Sequence, residues 1–143
     1  DAFAGKLGAV SGIILADLPF REMGPFEKAF KRHGIPVIRF LTPESRDADI
    51  DAAAQGACEF IYFVSKRGTT GGEFGLDRET QAKIGRARGK GGVVLRGFGL
   101  RDRKDVETAC RYADGAVIGT GAMNALSRGM NGFRDYIRRI KGV

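Results

Sequence analysis

Five short apolar runs constrain this chain more than anything else in it: Gly12 to Asp17, Pro36 to Leu41, Phe60 to Ser65, Gly92 to Gly97 and Asp114 to Gly119. Each ends in glycine, proline or a polar residue or is followed directly by one, and helical spacing follows. Stretches such as Ile13-Ile14-Leu15 and Ile61-Tyr62-Phe63-Val64 lack strict polar/apolar alternation. Strands buried on both faces lose that alternation, and strands that alternate with helices pair in parallel, so the pattern predicts an α/β fold with a helix-covered parallel sheet. Such folds place their chemistry at the carboxyl ends of the strands, so the tails of the five runs should carry function.

With 143 residues, 43% of them hydrophobic, the chain can bury one ordinary core. A closed barrel of eight β/α units takes roughly 250 residues. Only five units fit here, and an incomplete barrel leaves unpaired parallel edges that proteins normally pair or cover. The expectation is that residues 1–143 belong to a single (β/α)8 barrel domain, either as a piece of a longer protein or as a half-barrel that associates. A start at Asp1 rather than methionine suits a trimmed chain and equally suits processing.

Several classes are disfavoured. No run approaches the ~18 apolar residues of a membrane span, and no basic-then-apolar amino terminus suggests a signal peptide, so a cytoplasmic protein without membrane contact is expected. Cys58 and Cys110 lack metal-type spacing and read as buried free thiols. His33, the single histidine, precedes Gly34 at a helix end, where capping is the expected role. No metal site or Ser/His/Asp triad can be assembled around it. The net charge of +7 admits nucleic acid, an acidic partner or an anionic metabolite. The basic residues scatter over helix surfaces without interleaved aromatics, which argues against nucleic acid.

Helices are expected near Gly24 to Arg32 (core residues Phe26, Ala29 and Phe30), Asp47 to Gln55 (Ile50, Ala53, Ala54), Asp77 to Arg88 and Asp102 to Tyr112. In the last helix, Phe133, Tyr136, Ile137 and Ile140 make one apolar stripe. The glycine-rich stretch Lys66 to Gly75 reads as a functional loop of the lid type. Two strand tails suit an anion: Gly97-Phe98-Gly99 and Gly119-Thr120-Gly121. Glycine lets backbone N–H groups approach a ligand, and two such loops after successive strands can clasp a phosphate without lysine.

Taken in order, Ala16-Asp17-Leu18-Pro19, Tyr62 to Gly71, Gly97-Phe98-Gly99 and Asp114 to Thr120 resemble the tryptophan synthase α chain, from its fourth strand onward, over essentially the whole sequence. The resemblance implies a barrel that cleaves indole-3-glycerol phosphate to indole and glyceraldehyde 3-phosphate. Indole then passes to a β chain that carries the pyridoxal phosphate, so no cofactor is expected on this chain. It further implies that Gly97, Phe98, Gly99, Gly119 and Thr120 face the substrate around its phosphate. Phe98 either borders the indole ring or fills the barrel mouth; Tyr62 either lines the pocket or is a core aromatic. Thr70 and Gly71 match the closing loop. Asp17, Leu18, Pro19 and Phe20, with the Leu41-Thr42-Pro43 tail, match the rim that meets the β chain. The family's acid/base glutamate and assisting aspartate belong to earlier elements. No residue here inherits them, no catalytic residue is assigned, and the segment alone is expected to be inactive. Two features sit apart from the pattern: glycine-threonine-glycine replaces the usual glycine-serine-alanine, and Arg39 and Arg96 interrupt apolar runs. The alternative is a non-catalytic phosphate-binding half-barrel, acting as a dimer or regulatory module.

Overall fold

The computed structural model describes residues 2–56, 59–64 and 76–142. Among these, five strands form one parallel sheet in chain order: β1 (Ile13–Ile14), β2 (Val37–Leu41), β3 (Ile61–Val64), β4 (Val94–Gly97) and β5 (Gly115–Val117). Helices α1 (Met23–Lys31), α2 (Asp47–Gln55), α3 (Arg78–Gly89) and α4 (Arg103–Cys110) make the crossovers, and α5 (Thr120–Leu126) and α6 (Met130–Lys141) follow β5. The sheet is open, with β1 and β5 as its edges.

Local chemistry sets the helix ends. The Asp77 side chain accepts from the Thr80 amide at 2.7 Å, and Asp102 accepts from the Asp105 amide at 2.9 Å, each satisfying a donor that the first turn leaves orphaned. Asp47 and Asp49 complement the positive end of α2. Beyond α1, Gly34 takes φ +70°, which L side chains rarely adopt. There the His33 and Gly34 amides return to the Phe30 and Lys31 carbonyls. The backbone therefore closes this helix, whereas the His33 ring lies against Gly5.

Register sorts the strand residues onto two faces. Leu41 pairs with Phe63, and Ile61 with Val94. These four point outward and bury against Ile50 and Ala53 of α2 and Ile84 and Ala87 of α3. Val37 packs in a second cluster with Met23 and Phe30 of α1. On the opposite face Ile14 is exposed, and Phe40, Tyr62, Val64 and Leu95 are half-buried. The apolar runs thus belong to strands whose outer face is covered by helices and whose inner face carries the large residues that closed barrels pack into their interior.

Two core expectations are corrected. Phe26 is 47% exposed because the buried stripe of α1 runs through Met23 and Phe30. Cys110 is exposed at the end of α4, where Ala109 takes the core-facing position; Cys58 lies outside the described residues. Both strand arginines sit on the outer face. Arg39 pairs with Glu27 of α1, and its guanidinium stacks 4.9 Å from the centre of the Phe20 ring. Burial pushes the Arg96 guanidinium down from its ordinary value, and the charge of buried Asp105 on α4 pulls it back up.

At the start of β5, Asp114 accepts from the Val94 amide at 2.8 Å and pairs with Arg88 of α3 at 2.8 Å. Burial raises this carboxyl, yet the Val94 amide and Arg88 outweigh burial and hold it below its ordinary range. Asp51, paired with Arg86 across α2 and α3, is likewise lowered. A carboxyl lowered in the folded state contributes stability above its unfolded pKa of about 4, and that contribution is lost as pH falls through the folded value. The melting temperature should therefore stay level from pH 7 to about 5 and decline below about 4, with a shallower decline in Asp114→Asn. An unchanged acid slope in that variant would remove Asp114 from the account.

Among the described residues, no helix is long and apolar enough to cross a membrane, and no group of three His, Cys, Asp or Glu could hold a metal ion.

Candidate functional site

The strands β3, β4 and β5 end side by side on the carboxyl edge of the sheet, and the tails of β4 and β5 leave from it. Gly97 pairs with Val117, so Gly99 and Gly119 each lie two residues beyond the same rung of neighbouring strands. Parallel neighbours run about 4.8 Å apart, which brings the two glycine tails together. Gly99 has φ +76°, and Phe98 before it has φ +79°, a conformation that residues other than glycine seldom adopt. Phe98 is 64% exposed at this edge of the open sheet. Gly119 precedes α5 with no heavy atom within 4 Å of where its Cβ would lie, and Thr120 opens the helix; both are exposed. Two adjacent tails with exposed glycines let an anion approach the backbone of both strands.

Tyr62 reaches the same edge from the inner face. Its ring stacks on Phe40 of β2, with centroids 5.8 Å apart and planes 14° from parallel. It leans across to β4, where a Cβ on Gly97 would collide with its hydroxyl and lie 2.8 Å from its Cε2. Gly97 is therefore glycine to admit Tyr62, a reason unrelated to anion binding. Burial pushes the Tyr62 phenol up, so at neutral pH it remains a donor. Tyr62 is thus both an inner-face aromatic and a neighbour of the glycine tails.

Thr70 and Gly71, with the rest of the loop 66–75, lie outside the described residues. The four rim residues differ in exposure. Asp17 and Pro19 are exposed, whereas Leu18 and Phe20 are half-buried against the two core clusters, Phe20 beneath Arg39. Leu41 is fully buried, and the Pro43 carbonyl accepts from Lys83 of α3. Sequence reading also missed a support beneath the β4 tail: Arg101, Asp105 and Tyr136, joined by hydrogen bonds at 2.9 Å. Asp102-x-x-Asp105 was its legible trace, since paired acids three apart suit a helix start.

Residues 2–141 match the family model of the tryptophan synthase alpha chain. This chain belongs to that family. A tryptophan synthase alpha chain from Geobacter sulfurreducens is 33% identical over 131 residues, covering 90% of this chain and 50% of the relative. The chain spans about half the length of the curated relatives it matches. Tryptophan synthase subunit alpha from Campylobacter jejuni superposes with a TM-score of 0.80 at 23% identity, covering 92% of this chain and 54% of that one. A chain of the tryptophan synthase α2β2 complex from Pyrococcus furiosus does so with a TM-score of 0.75 at 23% identity, covering 94% and 56%. These likenesses show the fold: the five parallel β/α units superpose on about half of a tryptophan synthase alpha barrel, and the sheet of the described residues is not closed.

Proposed function

We propose that this chain supplies the phosphate-holding side of the lyase that releases indole from indole-3-glycerol phosphate in tryptophan biosynthesis. Family membership supports the reaction, and one observation supports the role: the Gly97 to Val117 register that sets Gly99 beside Gly119. Amides of the two tails hold the phosphate, with the Thr120 hydroxyl beside them. Phe98, exposed at the edge, and Tyr62, on the inner face, flank the space that the indole ring enters. Thr70 and Gly71 belong to the loop that closes over it. Anchoring the phosphate fixes the far end of the substrate, so the C–C bond next to the ring is presented in one orientation to the acid and base that break it. Those proton-transfer groups come from outside these residues, and the chain itself uses no cofactor.

The likeness to a chain of an α2β2 complex supports a β-chain partner, which holds the pyridoxal phosphate and takes up the indole. Its docking rim includes Asp17 and Pro19, while Leu18 and Phe20 support the rim from beneath. The reading places the protein in the cytoplasm.

The deciding experiment measures indole release from indole-3-glycerol phosphate by the full-length chain, alone and with a tryptophan synthase β chain, beside residues 1–143 alone. The full-length chain should turn over, faster with the β chain, and the segment should release none. Turnover by the segment at the full-length rate would place the proton-transfer groups here, with Tyr62 tested first. A full-length chain that binds glycerol 3-phosphate but releases no indole would favour the non-catalytic half-barrel.

A further inference from the structure

Gly121 closes the second glycine tail, yet its φ is not in the left-handed region. Its need for glycine is steric. A Cβ there would run into the Tyr136 hydroxyl and lie 3.4 Å from the Arg101 carbonyl oxygen. Three separate pieces of chain therefore meet at one point: the first turn of α5, the β4 tail and Tyr136 of α6. The Tyr136 hydroxyl donates to the Arg101 carbonyl at 2.9 Å, and the residue is 9% exposed. The other backbone group of Arg101 is tied as well, its amide donating to buried Asp105 at 2.9 Å.

Gly97 is held in the sheet ladder and Arg101 from both sides, so Phe98, Gly99 and Leu100 span two fixed points. Leu100 is itself buried. Phe98 and Gly99 both take positive φ in this span, and for Phe98 such a conformation persists only where its surroundings over-determine it. The Tyr136 phenol is raised by burial first and then by Asp102 and Asp105, so it stays protonated and keeps donating at neutral pH.

We infer that Tyr136 is a positioning residue for the anion site: by holding the Arg101 carbonyl and seating against Gly121, it sets the spacing of the β4 and β5 tails. The inference rests on the proposed phosphate role of those tails. A site whose donors already stand at the right spacing spends none of its binding energy on ordering them. Loosening one tail against the other should therefore weaken ligand binding more than it weakens the fold.

The test is calorimetric titration of glycerol 3-phosphate into the full-length chain and three variants, with melting temperatures measured alongside. Tyr136→Phe keeps the ring and removes one hydrogen bond; it should raise Kd roughly 3- to 10-fold while the melting temperature falls only a few degrees. Gly121→Ala should lose more affinity, because its methyl meets the hydroxyl. The double variant Gly121→Ala, Tyr136→Phe should bind better than Gly121→Ala alone, at a temperature where the melting curves show both variants fully folded, so that the rescue reads the site and not the folded fraction. Amide exchange at Gly99 in the unliganded chain should quicken in Tyr136→Phe. An unmodified chain that does not bind glycerol 3-phosphate would overturn the phosphate reading and this inference with it. Binding by the unmodified chain with equal Kd in Tyr136→Phe, or a double variant no better than Gly121→Ala, would overturn the positioning role alone.

Discussion

Gly99→Asp is expected to abolish measurable binding of glycerol 3-phosphate, a loss of at least about 100-fold, in a chain that still folds. Two effects act in the same direction. The position has φ +76°, so any side chain costs about 1–2 kcal/mol of backbone strain or moves the tail. Aspartate also brings a negative charge within a few ångströms of a surface proposed to receive a doubly charged phosphate. Gly91 provides the control: it has φ +89° in the turn between α3 and β4, away from the carboxyl edge, with no heavy atom within 4 Å of its would-be Cβ. Gly91→Asp should show comparable strain in its melting temperature and unchanged ligand affinity. Calorimetry on both variants checks the assignment, and a folded Gly99→Asp chain with normal affinity would sink it.

Phe63→Ala should cost about 3–5 kcal/mol of unfolding free energy, the largest stability effect anticipated for one substitution here. Phe63 is fully buried between the outer face of β3 and the layer formed by α2 and α3, among Leu41, Ile61, Ile84 and Val94. Neighbours held by strand register and by caps such as Asp77 cannot collapse into the space left behind. Urea unfolding of the variant should show a lower midpoint with a similar slope. A cost below about 1 kcal/mol would mean that this layer is looser than its burial implies.

The rim assignment illustrates how far a motif carries. Asp17 to Phe20 were legible as a distinctive tail, in which Pro19 fixes its own φ. Motif and spacing do not tell which way Leu18 and Phe20 turn. The structure turns both against the core, with Phe20 under a guanidinium that itself pairs with Glu27. A charge placed at Leu18 or Phe20 would therefore test folding as much as pairing, and exposed Asp17 is the better probe of a partner surface.

What the sequence determined by itself is the set of features governed by near neighbours along the chain. Apolar runs of four to six residues marked β2, β3 and β4, and helix starts at Asp77 and Asp102 were visible because capping acts over three residues. The stripe of Tyr136, Ile137 and Ile140 marked α6 because a helix repeats its faces every 3.6 residues. The ordered glycine tails and the family resemblance were legible for the same reason. Only the tertiary structure decided why individual glycines are glycine: Gly97 for the Tyr62 ring, Gly121 for the Tyr136 hydroxyl, and Gly99 for its φ. It also decided the outward places of Arg39 and Arg96 and the tie from Tyr136 to Arg101 across 35 residues. These depend on which atoms meet after strands pair and helices pack. Such contacts join residues far apart in the chain, and local pattern carries no information about them.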